Sequence, residues 1–268
     1  MEKAASPWYN RFISLEDGVA AMLTPRYYFA DDFRVFYDYF LSQPHRETVF
    51  RKGDLLWRDG QPYDRIHYFL SGAAVHFAEH ETGRRRIISF HGPGTVFPGY
   101  HTTDFRIELS LTTTALSEIH VLEFTIPQFQ AMFESNSALA EQVVNWYAMY
   151  VNRFLFETVH QEFNSSRVKL CNLLYLLTMN QPANSGLVIE MTQEDLADIL
   201  GISRVHITRE LTELRRMGVL TTTRGRLTIT DLPALAGLCT DETVYCMDHS
   251  NCSVRPCLLP RLHKPALL

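Results

Sequence analysis

Residues 192–230 read TQEDLADILGISRVHITRELTELRRMGVLTTTRGRLTIT. Thr192, with Asp195 three residues on, forms a capping box that starts a helix. Leu196, Ile199 and Leu200 recur at helical spacing and supply its inner face. Gly201 allows a tight turn, and Ser203 caps a second helix whose inner face is Ile207, Leu211 and Leu214. Gly218 ends that helix. The strand-like runs Val219–Thr223 and Leu227–Thr230 then flank Arg224-Gly225-Arg226, which reads as a β-hairpin wing.

Two helices joined by a short glycine-containing turn place the second in the major groove of double-stranded DNA. Helical spacing turns Arg204, Val205, Thr208 and Arg209 away from the Ile207/Leu211 core, beside the capping Ser203. These are the candidate contacts to base edges. Arg224 and Arg226 on the wing are the candidate phosphate contacts, which position a protein without reading sequence. From Ser203 to Arg226, Arg204, Arg209, Arg215, Arg216, Arg224 and Arg226 outnumber Glu210 and Glu213. The whole chain, in contrast, carries a net charge of -5. A basic reading surface on an acidic chain argues against indiscriminate coating of nucleic acid.

Working outward, Glu47–Phe50, Leu55–Arg58, Ile66–Leu70, Ala73–Glu79, Arg86–Phe90, Ile107–Thr114 and Ile119–Phe124 are short β-rich runs. Gly53, Gly60, Gly72, Gly83, Gly92 and Gly94 punctuate them, the rhythm of a sandwich or barrel. Before them, Asp31–Leu41 places Phe33, Phe36, Tyr37 and Phe40 at helical steps, with Asp31 or Asp32 as N-cap. After them, Pro127 begins a short helix, and Asn136 or Ser137 caps a long one reaching about Asn164. Val144, Tyr147, Val151 and Phe154 form one stripe of the long helix, while Val143, Trp146, Tyr150 and Leu155 lie around its circumference. A helix apolar on two faces wants two partners. The β-domain is one, and the same helix of a second subunit is the economical other; an ordinary buried helix of a monomer is the alternative. Asn164-Ser165-Ser166 reads as a hinge and cap, Arg167–Met179 as an amphipathic helix, and residues 181–186 as a loop.

The expected fold is therefore α+β. It comprises an N-terminal helical segment (1–45), a cupin-like β-roll sensor domain (46–134), a long dimerisation helix (135–164), a C-terminal winged helix-turn-helix (165–232) and a cysteine-rich tail (233–268). No uninterrupted apolar run approaches about 18 residues, so no membrane partner is expected. Met1 to Asn10 lacks a basic flank ahead of an apolar core, which makes the cytoplasm the expected location. No nucleophile–base pairing, phosphate loop or metallohydrolase motif is present, so an enzyme is not expected.

Of the 5 cysteines, Cys171 sits in an apolar stretch as a small hydrophobe. Cys239, Cys246, Cys252 and Cys257 crowd the tail, with His249 among them. Four thiolates suit tetrahedral zinc or an iron–sulfur cluster, although the spacing matches no common zinc signature. Thiol–disulfide switching and an inert tail are the alternatives. His91, His101, His120 and His160 are scattered, and His160 reads as a solvent-facing residue of the long helix, which leaves haem a minor option.

The order of parts, a glycine-punctuated roll, a long helix and a winged helix-turn-helix, resembles the CRP/FNR superfamily of bacterial regulators. Phe50-Arg51-Lys52-Gly53-Asp54 with Asp59-Gly60, Phe69-Leu70-Ser71-Gly72, and Leu200-Gly201-Ile202-Ser203-Arg204 with Thr208-Arg209 carry the resemblance, which runs from about Phe33 to Ile229. It implies a roll of the cyclic-nucleotide-binding type and a homodimer on a near-palindromic operator. It also implies an effector between roll and long helix that shifts the reading heads, and RNA polymerase as a partner if the protein is an activator. Members that bind cyclic nucleotides carry a Gly-Glu-Leu run and an Arg-Ser or Arg-Thr pair before an alanine. Phe97-Pro98-Gly99-Tyr100-His101 through Glu108-Leu109-Ser110-Leu111-Thr112 lacks both. Arg106 is the only nearby cation for a buried phosphate, so a cyclic nucleotide is not expected. Tyr100, His101, Arg106 and, from the long helix, Tyr147 are the candidate effector contacts, suited to a smaller aromatic or anionic ligand. Tyr100 and His101 also read as plain surface-loop residues.

Many members carry glutamate where Val205 stands, accepting from a cytosine amino group. Valine packs instead against a thymine methyl, which implies A·T-leaning half-sites. In this the recognition helix is closest to the halorespiration regulators, which also have valine there and bind TTAAT-type halves. FNR proteins of the Bacillus type hold an iron–sulfur cluster on C-terminal cysteines, so oxygen or nitric oxide sensing by the tail is a further option. The function expected is an effector- or redox-gated transcription regulator, with a ligand-binding module that does not touch DNA as the competing class.

Overall fold

A computed structural model of the chain describes residues 25–57, 60, 62–103, 105–179 and 187–244. Contacts divide it inside the long helix, after Leu155, into two compact units.

The first unit, from Arg26 to Leu155, is a β-roll with helices at either end of its sequence. Strand β1 (Tyr28–Phe29) precedes a 3-10 turn (Arg34–Phe36) and helix α1 (Tyr37–Ser42). Strands β2 (Arg46–Phe50), β3 (Leu55–Trp57), β4 (Arg65–Ser71), β5 (Ala74–Glu79), β6 (Arg85–His91), β7 (Val96–Phe97), β8 (Leu111–Ala115) and β9 (Ile119–Thr125) follow. They form two facing sheets, ordered β1-β6-β5-β8-β3 and β2-β9-β4-β7. All pairs are antiparallel except β1 with β6. Burial alternates along β6, whereas β4, β5 and β9 each carry four consecutive buried residues, as strands covered on both faces do. Gly72 closes the β4–β5 turn at φ 81, where a Cβ would run into the Glu118 backbone, so only glycine fits.

Two expectations need correction here. Asp31 and Asp32 do not cap a helix: Asp31 is left-handed at φ 62, and regular α-helix starts only at Tyr37. Asp32 is instead buried against the Arg26 guanidinium, while its carbonyl accepts from Gln142 Nε2 at 2.7 Å. The run Ile107–Thr114 is not one strand. Arg106–Ser110 coils into a 3-10 turn, and pairing begins at Leu111. Glu108 meets His101 Nε2 at 2.8 Å, and Ile107 and Leu109 are exposed, so this segment has no sheet partner to straighten it.

Helix α2 (Ile126–Ser135) opens on a capping box in which the Gln128 amide donates to Thr125 Oγ1 and Gln128 Oε1 accepts from the Thr125 amide. Asn136 Oδ1 then accepts from the Leu139 amide, capping α3 (Ser137–Phe163). Leu139, Val143, Trp146 and Tyr150 of α3 are buried in the same core as Phe29, Phe97 and Phe129. Val144, Val151, Phe154, Leu155 and Val159 are exposed on the chain.

The second unit, from Phe156 on, holds α4 (Ser166–Met179), β10 (Val188–Ile189), α5 (Gln193–Leu200), α6 (Arg204–Arg216), β11 (Leu220–Thr223), β12 (Arg226–Ile229) and α7 (Leu232–Gly237). Ser165 Oγ accepts from the Val168 amide at the start of α4, as the hinge reading expects. Helix α4 is not amphipathic: Leu170, Cys171, Asn172, Leu173, Leu174, Tyr175 and Leu176 are all buried, because α5, α6, α7 and β10 pack around it. His160 is likewise buried rather than solvent-facing. The chain reverses after it, so that Asn164 and Asn172 both reach His160 Nδ1 and the Phe156 ring lies 3.8 Å away.

Inside the roll, burial drives His91 well below the ordinary histidine range and His76 down to about 3, with nearby Arg153 acting the same way. The unfolded chain takes up these protons as pH falls through about 6.5, whereas the folded roll resists. Their contribution to stability is therefore complete above about pH 6.5 and declines below it. The urea midpoint should fall between pH 7.5 and 5. His76→Gln, which keeps a donor for Thr113, should flatten that fall; an unchanged slope would refute the assignment.

Candidate nucleic-acid interface

The winged helix-turn-helix follows the local chemistry of its sequence. Thr192 and Asp195 cap α5 reciprocally, with backbone-to-side-chain bonds of 2.9 and 3.1 Å. Gly201 terminates it in the left-handed conformation at φ 65. Ser203 Oγ accepts from the His206 amide and starts α6, which buries Ile207, Leu211 and Leu214. Arg204, Val205, Thr208 and Arg209 consequently face outward with Ser203, and Val205 is 77% exposed. Thr208 Oγ1 lies 2.7 Å from Gln193 Oε1, bridging the two helices of the motif.

Strands β11 and β12 pair from Leu220↔Ile229 to Thr223↔Arg226, leaving Arg224-Gly225 as a two-residue turn with Gly225 at φ 70. Strand β10 joins the outer side of β12. Between this wing and the start of α5 is a cleft of about 360 Å³, with Thr192, Gln193, Glu194, Arg204, Arg224 and Arg226 among its lining residues. Arg204 and Arg224 make no ion pair among the described residues, whereas Arg226 meets Glu190 at 2.5 Å and Arg216 meets Glu213 at 2.9 Å. The Arg204 and Arg224 guanidiniums, without a carboxylate partner among the described residues, suit a phosphate group.

One charged residue of α6 lies on its inner face. Glu210 is 6% exposed, lying three residues after Ile207 and four before Leu214, on the inward side of α6. Its Oε2 accepts from Arg167 Nε of α4 at 2.7 Å and its Oε1 from Arg209 Nη2 at 3.2 Å. Burial alone would raise the carboxyl, but the Arg167 and Arg209 guanidiniums outweigh it and hold the group below the ordinary glutamate range.

Three of the four effector candidates come together. Tyr100 is buried, its ring 5.0 Å from Phe133, and its carbonyl accepts from the Tyr147 hydroxyl at 3.2 Å. His101 follows it and pairs with Glu108. Gly99 is required beside them, since a Cβ there would overlap the Tyr147 hydroxyl. Arg106 is exposed on the 3-10 turn and makes no ion pair with these groups.

A second polar group, absent from the sequence expectations, lies in the roll against α3. The Tyr150 hydroxyl donates to Ser89 Oγ at 2.8 Å, Ser89 Oγ lies 2.9 Å from His91 Nε2, and His76 Nδ1 is 2.9 Å from Thr113 Oγ1. His91 stacks on Phe97 at 3.8 Å and Phe29 on Tyr150 at 4.3 Å, so aromatic rings fill this interior. Fully buried Arg153 places its guanidinium over Phe154 at 4.5 Å. Ser89 and His91 are far from Tyr150 in sequence, and only the fold brings them to it.

Cys239 is buried with Sγ 3.3 Å from the Leu235 carbonyl; Cys246, Cys252 and Cys257 lie outside the described residues. Among the described residues no three histidine, cysteine or carboxylate side chains gather as metal ligands. Burial pushes the Cys171 thiol up to about 12, consistent with a packing role. No helix among the described residues is long and apolar enough to cross a membrane.

Comparison with known proteins agrees with this architecture. A family model described as a cyclic nucleotide-binding domain matches residues 47–136, and one described as a Crp-like helix-turn-helix domain matches residues 168–238. The nitrogen fixation regulation protein FixK of Rhizobium meliloti (strain 1021) is 23% identical over 203 residues, covering 74% of this chain and 90% of FixK. The solved structure of FixK2 from Bradyrhizobium japonicum shares the fold with a TM-score of 0.64 at 18% identity, over 74% of this chain and 98% of that one. OCPA-complexed CprK does so with a TM-score of 0.58 at 16% identity, over 73% and 90%. With a β-roll of the cyclic-nucleotide-binding type and a Crp-like reading head in this order, the chain belongs to the CRP/FNR superfamily of bacterial transcription regulators.

Proposed function

We propose that the protein is a homodimeric, sequence-specific DNA-binding transcription regulator, gated by a small-molecule or redox signal other than a cyclic nucleotide. The observation that carries this reading is the outward row Ser203, Arg204, Val205, Thr208 and Arg209 beside the basic wing cleft. In this reading Arg204, Val205, Thr208 and Arg209, with Ser203 beside them, meet the DNA at its base edges, and Arg224 and Arg226 position the head on phosphates. Arg226 must leave Glu190 to do so. RNA polymerase is a further partner if the protein activates.

Dimerisation is supported by Val144, Val151, Leu155 and Val159, which recur at seven- and four-residue steps on α3 and are all more than half exposed. A second copy of the same helix covers such a seam symmetrically. The division of labour follows: roll (46–134) as sensor, helix (135–164) as dimer seam, and winged helix (165–232) as reader.

Two observations argue against a cyclic nucleotide. The stretch from Phe97 to Thr112 lacks the acidic and arginine partners that the superfamily uses, and rings of Phe29, His91, Phe97 and Tyr150 fill the roll interior. Tyr100, His101 and Tyr147 instead form a candidate seat for a small aromatic or anionic effector. An iron–sulfur or zinc site on Cys239, Cys246, Cys252 and Cys257 is the alternative source of a redox signal; of these, Cys239 is buried with Sγ 3.3 Å from the Leu235 carbonyl.

Selection of binding sites from a random pool should return palindromes with A·T at the Val205 step; a required G·C there would sink the reading. Val205→Glu should move that step toward a cytosine-bearing pair, by about 1–3 kcal/mol of discrimination. Arg224→Ala should weaken operator and random DNA alike and reduce the slope of log K against log salt by about one. In sedimentation, Val151→Glu combined with Leu155→Glu should convert a dimer to a monomer, and an unaltered mass would remove the α3 seam.

A further inference from the structure

We infer that Glu210 is a positioning residue for DNA reading: it holds Arg209 in its reading orientation and fastens the recognition helix to α4 through Arg167. The inference rests on the proposed role of Arg209 at the DNA. Glu210 takes an inward place on α6, where its neighbours Ile207, Leu211 and Leu214 are apolar and buried. A carboxylate in that row is costly unless both oxygens are satisfied. Both are, and by guanidiniums from two different helices: Arg167 Nε at 2.7 Å and Arg209 Nη2 at 3.2 Å.

The two arginines differ in what they leave available. The Arg209 side chain is 65% exposed, and only Nη2 is engaged by Glu210, so the rest of its planar donor fork faces outward. Arg167, 43% exposed, belongs to α4, the helix that follows the Asn164-Ser165 break. Glu210 is thus the anchor of a three-residue chain, Arg167–Glu210–Arg209. Anchoring one end of an arginine restricts its rotamers, and a restricted fork discriminates between bases better than a free one. A freed Arg209 would still find phosphates, which every sequence offers. Specificity, more than total affinity, is what the anchor supplies.

The test uses the full-length protein, the operator recovered by site selection, and a scrambled duplex of the same length. The quantity read is the ratio of operator to scrambled affinity. Glu210→Gln keeps the side-chain volume and removes the charge. It should lower the ratio about tenfold, the scale of a lost charge-assisted bond, while affinity for the scrambled duplex holds or rises. In an R209A background, Glu210→Gln should have no further effect on the ratio. Equal losses in both backgrounds would mean a purely structural role and overturn the inference, as would an unchanged ratio in the single variant. If R209A alone leaves the ratio unchanged, Arg209 does not read DNA, and the proposed base contact falls together with its anchor. If R209A lowers it and Glu210→Gln does not, the anchor alone falls. Should Glu210→Gln fail to fold, Arg167→Ala releases the other end from a half-exposed site, and the same cycle with R209A applies.

Discussion

One side of α3 is packed into the roll, and that commitment governs what the rest of the helix is left to do. Leu139, Val143, Trp146 and Tyr150 follow at alternating four- and three-residue steps and disappear into a core shared with Phe29 and Phe97. Burying each large side chain contributes on the order of 1.5–3 kcal/mol, so the stripe is not readily given up. Tyr150 adds a constraint of direction, because its buried hydroxyl finds its partners in Ser89 and His91. With that face held, Val144, Val151 and Leu155 have no partner face left on the roll side.

The same logic operates on α6 at smaller scale. Ile207, Leu211 and Leu214 fix which face is inside, and Arg204, Val205 and Arg209 are outside as a geometric consequence. What sets α6 apart is the carboxylate in its inner row. An apolar residue at position 210 would satisfy packing; a glutamate satisfies it only with Arg167 and Arg209 in place. The reading surface and the packing of α4 are therefore not independent features of this unit.

In the roll, some buried polar groups answer one another, while His91 Nδ1 and Thr95 Oγ1 find no hydrogen-bond partner among the described residues. His76 with Thr113, and His91 with Ser89 and Tyr150, are held neutral inside an aromatic lining. The Tyr100 carbonyl and Tyr147 hydroxyl make a separate connection from the β7 side to α3, next to Gly99, where any Cβ would displace the Tyr147 and Trp146 rings. Both arrangements bear on the same helix, which is the element a sensor would need to move.

Much of this was legible along the chain. The capping pair Thr192/Asp195, the turn at Gly201, the wing turn at Arg224-Gly225 and the outward face of α6 all follow from residues within one turn of each other. Local chemistry of that range acts before any tertiary contact forms, so sequence alone determined it. The 3-10 coil of Arg106–Ser110, the late start of α1, the enclosure of α4, the burial of His160 and the anchor at Glu210 were decided only by the tertiary structure. The anchor at Glu210 and the buried network at Tyr150 depend on partners far along the chain: Arg167 lies 43 residues from Glu210, and Ser89 lies 61 from Tyr150. Helical spacing put Glu210 on the inner face, but nothing nearby named the guanidinium that makes a buried carboxylate tolerable. Periodicity tells which way a side chain points; only the fold supplies what it meets there.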